Sequence, residues 1–69
     1  MKKYEIIMYD MKDFYLMSFK NYKECADYFE TSPETIRSMI YHLETGKQKK
    51  VRDYNHQKWV KLVRVYIND

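Results

Sequence analysis

Several residue types are scarce in this sequence, and each scarcity narrows what the chain can be. The single cysteine, Cys25, rules out a disulfide within the chain and is typical of a reducing compartment, so we expect a cytoplasmic protein. One glycine and one proline beside 45% hydrophobic residues argue against disorder. No apolar run approaches the roughly 18 residues of a membrane-spanning helix, and Glu5 and Asp10 interrupt the segment in which a signal peptide would lie. We therefore expect one self-folding domain over residues 1–69.

Basic residues are concentrated in the second half of the chain. Residues 1–30 contain five lysines and six acidic residues, whereas residues 31–69 contain eight basic and four acidic residues. Between residues 47 and 64, seven basic side chains stand against Asp53 alone. This asymmetry indicates a polyanionic partner for the second half, although such a run is more often only a solvated surface.

The first 19 residues favour two β-strands. Residues 4–10 are rich in aromatic and β-branched side chains, and residues 14–19 alternate between two faces. Residues 11–13 would form the short turn of a β-hairpin between them. A helix over residues 4–19 is the alternative, since no residue in this segment forbids one. The composition favours the strands.

Two helices follow, each with a recognisable start. Asn21 and Glu24 have the spacing of a capping box, and apolar residues recur behind them on one helix face. Ser32 as N-cap and Pro33 in the first turn predict a second helix, and Gly46 lies where its C-cap would be. Because caps and apolar spacing agree in both segments, these helices are the firmest structural prediction.

The end of the chain favours one more strand. Residues 59–67 alternate between two faces and predict a strand that pairs with the N-terminal hairpin, because two strands alone are only marginally stable in water. Residues 46–58 are polar and lack a regular period, so we interpret them as a loop or an irregular β-arm. The expected fold is α+β: a β-hairpin, a helix-turn-helix, a basic loop or wing, and a C-terminal strand that completes a small antiparallel sheet (ββααβ).

The connection between the two helices carries the main functional signal. Residues 26–40 resemble a helix-turn-helix, in which a small residue on the first helix precedes a tight turn. Ala26 would lie where the helices cross, and Phe29 would fill the space below the turn. Glu30 occupies the turn position that glycine usually takes, which implies strain of about 1 kcal/mol or a differently shaped turn.

Helix-turn-helix proteins place the start of their second helix in the major groove of DNA. Arg37 would give a bidentate contact to guanine, whereas Ser32 and Thr35 suit phosphate. Glu34 would either accept from a cytosine amine or only complement the positive helix end. The residues expected to contact DNA are Ser32, Glu34, Thr35, Arg37, Ser38, Tyr41 and His42 of the second helix, with Lys47, Lys49, Lys50 and Arg52 of the basic segment.

The order of elements resembles small helix-turn-helix DNA-binding proteins of phages and mobile elements of Gram-positive bacteria. It is also similar to the DNA-binding modules appended to homing nucleases. The resemblance implies a regulator that binds double-stranded DNA, with residues 47–52 as a wing or arm on the phosphate backbone. A solvated loop is an equally good interpretation of that segment. Because one such domain makes few base contacts, we expect weak binding by a monomer, or a homodimer on a two-fold site.

Other functions have weaker support in the sequence. The main alternative is a small phage effector, similar to an anti-CRISPR protein, that binds and inhibits a host protein. A purely structural helix pair is a further alternative, and the many aromatic residues would also fit a base-stacking platform or a protein interface. Cys25, His42 and His56 lack metal-ligand spacing, and no nucleophile–base pair or phosphate loop is visible. We therefore expect no metal, no cofactor and no enzymatic activity.

Overall fold

A computed structural model describes residues 3–67, in which a helix pair separates two β-hairpins along the chain. The elements are β1 (Lys3–Asp10), β2 (Tyr15–Phe19), α1 (Tyr22–Phe29), α2 (Pro33–Thr45), β3 (Val51–Asp53) and β4 (Lys58–Ile67). The four strands form one antiparallel sheet in the order β2-β1-β4-β3. The expected α+β fold is confirmed, and within the described range no helix is long and apolar enough to cross a membrane.

The basic segment contains a strand that the sequence did not predict. Strand β3 pairs Val51 with Val60 and Asp53 with Lys58, so the element order is ββααββ. Three residues are too few to display a period of two, which is why the sequence pattern left this strand within a polar loop. The basic segment therefore leads into a second hairpin and does not end as a free arm.

The two helices cover one face of the sheet. The opposite face stays open, and Val63, Val65 and Ile67 of β4 are 42%, 38% and 40% exposed there. The alternation predicted for residues 59–67 is thus confirmed, with Val60 and Leu62 on the helix side. The core between sheet and helices contains Ile6, Met8, Phe19, Tyr22, Cys25, Ala26, Ile36, Ile40, Val51, Val60 and Leu62.

The first hairpin is closed by an aspartate. Asp10 Oδ1 accepts from the amides of Lys12 at 2.8 Å and of Phe14 at 2.9 Å. The hydrogen bond from the Phe14 amide is the main reason why the pKa of Asp10 lies below its ordinary value. Asp13 takes the left-handed conformation with φ 68°, which aspartate tolerates better than most residues. The turn predicted at residues 11–13 is confirmed, although it contains no glycine.

Both helices begin at the predicted caps. Asn21 Oδ1 accepts from the Glu24 amide at 2.9 Å, and Glu24 Oε2 reaches back to the Lys20 amide at 2.8 Å. Ser32 Oγ accepts from the Thr35 amide at 3.3 Å at the start of α2. These side chains satisfy amides that the first turns leave without an intrahelical partner, so local chemistry determines where the helices start.

The turn between the helices is a Schellman motif with glutamate in the glycine position. The Thr31 amide donates to the Ala26 carbonyl at 2.9 Å, and the Glu30 amide donates to the Asp27 carbonyl at 3.3 Å. Glu30 has φ 56° and ψ 48°, in the left-handed region that a β-carbon disfavours. The strain expected at Glu30 is therefore present, and the turn keeps a standard shape.

Glu30→Gly is expected to raise the free energy of unfolding by about 0.5–1 kcal/mol, because glycine adopts a positive φ without steric cost. Urea unfolding of the variant beside the parent measures the change. Glu30→Ala is the matched control, since it removes the same charge and keeps the β-carbon. An equal gain in the alanine variant would assign the effect to charge and contradict the backbone explanation.

Candidate nucleic-acid interface

Helix α2 presents a polar face to solvent. Ile36 and Ile40 are 0% and 1% exposed and define its buried side. At 3.6 residues per turn, Glu34, Ser38 and Tyr41 lie on the opposite side and form an outward ridge. Of the helix residues predicted to contact DNA, His42 is half-buried and the others are exposed: Ser32, Glu34, Thr35, Arg37, Ser38 and Tyr41.

The two hydroxyls at the start of α2 contact each other. Ser32 Oγ lies 2.9 Å from Thr35 Oγ1 and also caps the Thr35 amide. The hydroxyl of Ser32 therefore has a structural task before any ligand arrives. A phosphate bound at this helix end would compete with the helix cap for hydrogen bonds from these hydroxyls.

A basic aromatic groove lies at the β3 edge of the sheet. Arg52 pairs with Trp59 across β3 and β4, on the sheet face that the helices leave open. Lys50 Nζ lies 4.4 Å from the centre of the Trp59 ring, and Arg52 Cζ lies 5.4 Å from it, so the ring positions both cations. With Thr31 of the turn and Met39 of α2, these residues line a groove of about 310 Å³. Two of the four basic residues predicted to contact DNA thus lie in a groove that extends around this edge to the helix pair.

The other two predicted basic residues lie past the end of α2. Lys47 is exposed, and Lys49 lines a separate groove with Glu44. The Gln48 amide donates to the His42 carbonyl at 3.1 Å, which holds this loop against the last turn of the helix. The segment predicted as an arm is therefore anchored at both ends, by α2 and by β3.

Two arginines meet at the other flank of α2. Arg64 of β4 donates from Nη1 to Tyr22 Oη at 2.7 Å. Arg37 Cζ lies 5.2 Å from the centre of the same tyrosine ring. The sequence did not identify Arg64 as a site residue, because no local pattern links a residue of the last strand to one of α2. The sequence feature that could have indicated its role is a positive charge on the strand face that also carries Val60 and Leu62.

A buried carboxylate fastens the second hairpin to α1. Asp53 is fully buried; its oxygens accept from Tyr28 Oη at 2.9 Å and 3.1 Å, and Oδ2 lies 2.7 Å from His56 Nδ1. The Asn55 amide also donates to Asp53 at 3.0 Å, and Asn55 Nδ2 donates to the Tyr28 carbonyl at 3.2 Å. Burial opposes ionisation, but hydrogen bonds from His56, Tyr28 and the loop amides hold the pKa of Asp53 below its ordinary value. The hairpin is thereby held in a defined position.

Neither Tyr28 nor Cys25 is activated as a nucleophile. Burial and the neighbouring carboxylate of Asp53 raise the pKa of Tyr28 to about 12, so its phenol stays protonated at neutral pH. Burial also raises the pKa of the fully buried Cys25 thiol to about 12. Across residues 3–67, no three histidine, cysteine or acidic side chains converge in a way that would hold a metal ion.

The geometry defines a class of protein: a small α+β domain whose second helix has an exposed polar ridge, two arginines on one flank, and a basic groove at the neighbouring edge of the sheet. Comparisons with protein families, curated proteins and solved structures find no match to this chain. The functional conclusion therefore depends on the residues of this surface.

Proposed function

We propose that this protein binds double-stranded DNA without catalysing a reaction, with α2 in the major groove as in helix-turn-helix proteins. The observation that carries the proposal is the presence of cations on one flank of α2 and in the basic aromatic groove that begins at its other flank. In that groove, Lys50 and Arg52 surround Trp59 at the β3 edge of the sheet, and Met39 of α2 is part of its lining. On the first flank, Arg37 and Arg64 lie against Tyr22. A helix in the major groove has a phosphate backbone on each side, and this charge arrangement complements it.

Helix geometry supports the assignment of the two flanks. Each residue of an α-helix advances by about 100°, from 3.6 residues per turn. Arg37 follows the buried Ile36, whereas Met39 precedes the buried Ile40, so they lie on opposite sides of the buried stripe. Met39 lines the groove of Lys50, so this groove and Arg37 lie on opposite sides of the outward ridge.

The ridge between the flanks would read the bases. Ser38 and Tyr41 offer hydroxyls and Glu34 offers a carboxylate, the last of which suits a cytosine amine. The hairpin of β3 and β4 follows the helix pair where a wing would lie. These features agree with the resemblance to DNA-binding proteins of phages and mobile elements. We accordingly propose a regulator of such genes in the cytoplasm, where a free thiol such as that of Cys25 stays reduced.

The open sheet face bears on whether a dimer would bind one duplex. The helices and this face lie on opposite sides of the sheet, so a dimer formed through it would carry its two α2 helices on opposite outer surfaces. Such a dimer would not place both helices on adjacent half-sites of one duplex, as a two-fold operator requires. We therefore propose that one copy of the domain binds each DNA site.

A protein-binding effector is the second candidate, and the exposed apolar residues favour it. Phe14 is 66% exposed and Tyr54 is 80% exposed, in addition to the valines of the open sheet face. Exposed aromatic and apolar side chains are typical of protein interfaces. In this function the chain would occupy a host protein, and its basic groove would contact an acidic surface.

Salt dependence distinguishes the two candidates. The test is an NMR titration of isotope-labelled protein with a random-sequence duplex at about 50 mM and about 200 mM salt. DNA binding predicts shifts along α2 and residues 47–52 that weaken steeply between the two conditions. Absence of shifts at both salt concentrations would contradict the DNA proposal and direct the search to a protein partner.

A further inference from the structure

We propose that Arg37 and Arg64 form a binding pocket for one phosphate group, with Tyr22 as the residue that positions both. Where the phosphate belongs to the DNA backbone, this inference rests on the proposed function. A small phosphate compound would be recognised by the same chemistry, and the experiment below separates the two sources.

The pocket is lined by hydrogen-bond donors. Its volume is about 380 Å³, and five side chains from α2 and β4 surround it. They supply two guanidinium groups, two hydroxyls and one imidazole, and none of the five is a carboxylate. Phosphate has several oxygen atoms that accept at once, and guanidinium groups match their geometry. The lining residues are Arg37, Ser38, Tyr41, His42 and Arg64.

Tyr22 brings the two guanidinium groups together. Its side chain is 8% exposed and therefore held by the core. Its hydroxyl accepts from Arg64 Nη1 at 2.7 Å, while its ring lies 5.2 Å from Arg37 Cζ. The two positively charged guanidinium groups that contact Tyr22 repel each other, and an anion bound between them would offset that repulsion. The aromatic ring thus maintains a charge pair that a phosphate would stabilise.

The guanidinium of Arg64 has an N–H donor that no described residue accepts from. Its Nε atom is buried and has no hydrogen-bond partner among residues 3–67. Its Nη2 lies 3.7 Å from Glu44 Oε1, which is an ion-pair distance and too long for a hydrogen bond. Buried donors usually have partners, so this guanidinium is poorly satisfied by the protein alone. Glu44 is an acidic group close to Arg64 and would compete with a phosphate.

The pocket changes the role of Arg37. From the sequence, Arg37 is expected to read guanine from the outward face of α2. The structure places its guanidinium over Tyr22 and in the same pocket as Arg64. A contact there recognises a backbone phosphate and carries no sequence information by itself. Arg37 would thus contribute affinity for every duplex, and discrimination would fall to Glu34, the ridge residue that does not line this pocket.

Four substitutions test the pocket. Arg37→Gln and Arg64→Gln each remove a cation, whereas Tyr22→Phe keeps the ring and removes only the hydroxyl that orients Arg64. Glu44→Gln removes the competing carboxylate and should strengthen phosphate binding several-fold. Lys12→Gln is the matched control, because it removes one positive charge in the turn between β1 and β2, outside the pocket. Circular dichroism of each variant checks that it is folded.

Two measurements separate the sources of phosphate. The first is the slope of log affinity for a DNA duplex against log salt, which should fall by about one for each arginine variant and stay constant for Lys12→Gln. The second is a titration with inorganic phosphate and a 5′-mononucleotide, followed through the arginine side-chain NMR signals. Tyr22→Phe should lower affinity in whichever arm binds, and Glu44→Gln should raise it.

Each outcome decides one of the proposals. DNA binding with a slope that falls in both arginine variants supports the pocket as a site for a backbone phosphate. DNA binding with unchanged slopes overturns the pocket and leaves the DNA proposal intact. Binding of inorganic phosphate or mononucleotide without DNA binding supports the pocket and overturns the DNA proposal. Binding of none of these ligands overturns both.

Discussion

Asp53→Ala is expected to lower the free energy of unfolding by about 3 kcal/mol, because it leaves several buried donors without an acceptor. The carboxylate is fully buried and accepts from Tyr28, His56 and two loop amides. A domain of 69 residues has a total stability of roughly 3–10 kcal/mol, so the variant should be close to unfolding at room temperature. Urea unfolding, with Tyr28→Phe as a milder variant, measures the loss.

The pH dependence identifies the charge of Asp53 as the cause. Its pKa is lower in the folded protein than in the unfolded chain, so its contribution is present at neutral pH and is lost as pH falls through the folded pKa. The stability difference between the parent and Asp53→Asn should therefore shrink below about pH 4, near the ordinary pKa of aspartate. A difference that stays constant from neutral pH to about pH 3 would contradict this explanation.

Lys50→Ala combined with Arg52→Ala is expected to weaken binding to every duplex by roughly 50-fold at about 0.1 M salt. The estimate assumes that each cation releases one counterion, and the slope against log salt should fall by about two. Both residues lie over Trp59 in the groove at the β3 edge. Fluorescence anisotropy of labelled duplexes over a range of salt concentrations measures both quantities.

A charge-matched control tests the location of this effect. Lys12→Ala combined with Lys20→Ala removes the same two charges beside β2, which is the edge strand opposite β3. This control should bind DNA as the parent does, apart from a small change in overall attraction. An equal loss in the control would show that net charge alone drives binding. A loss confined to one DNA sequence would instead assign Lys50 and Arg52 to base contacts.

Local chemistry explains which features were predictable. The helix starts at Asn21 and Ser32 depend on side chains that bond to amides three residues away, so sequence spacing alone reveals them. The alternation of residues 59–67 likewise reports one buried and one open face. Glu30 shows the same principle, since the Schellman motif around it lies within six residues.

The surface beside α2 was only partly predictable. The exposed residues of α2 were identified from their position opposite Ile36 and Ile40, and the basic segment was identified from its composition. Two features of this surface were missed: Arg64 at the proposed phosphate pocket and Trp59 under the cations of the groove. Each belongs to β4 and meets residues from other elements, a relation that no spacing along the chain expresses.

The sequence by itself determined the two helices, the strands β1, β2 and β4, and the excess of basic charge in the second half, because caps, side-chain periods and composition are properties of neighbouring residues. Only the tertiary structure decided the rest. Strand β3 exists because β4 supplies a hydrogen-bonding partner for its three residues. Asp53 holds the second hairpin to α1 because α1 brings the Tyr28 hydroxyl to its carboxylate. Arg37 and Arg64 meet at Tyr22 because three elements converge there. The physical reason is the same in each case: contacts between residues far apart in the chain form only when the sheet and the helices pack.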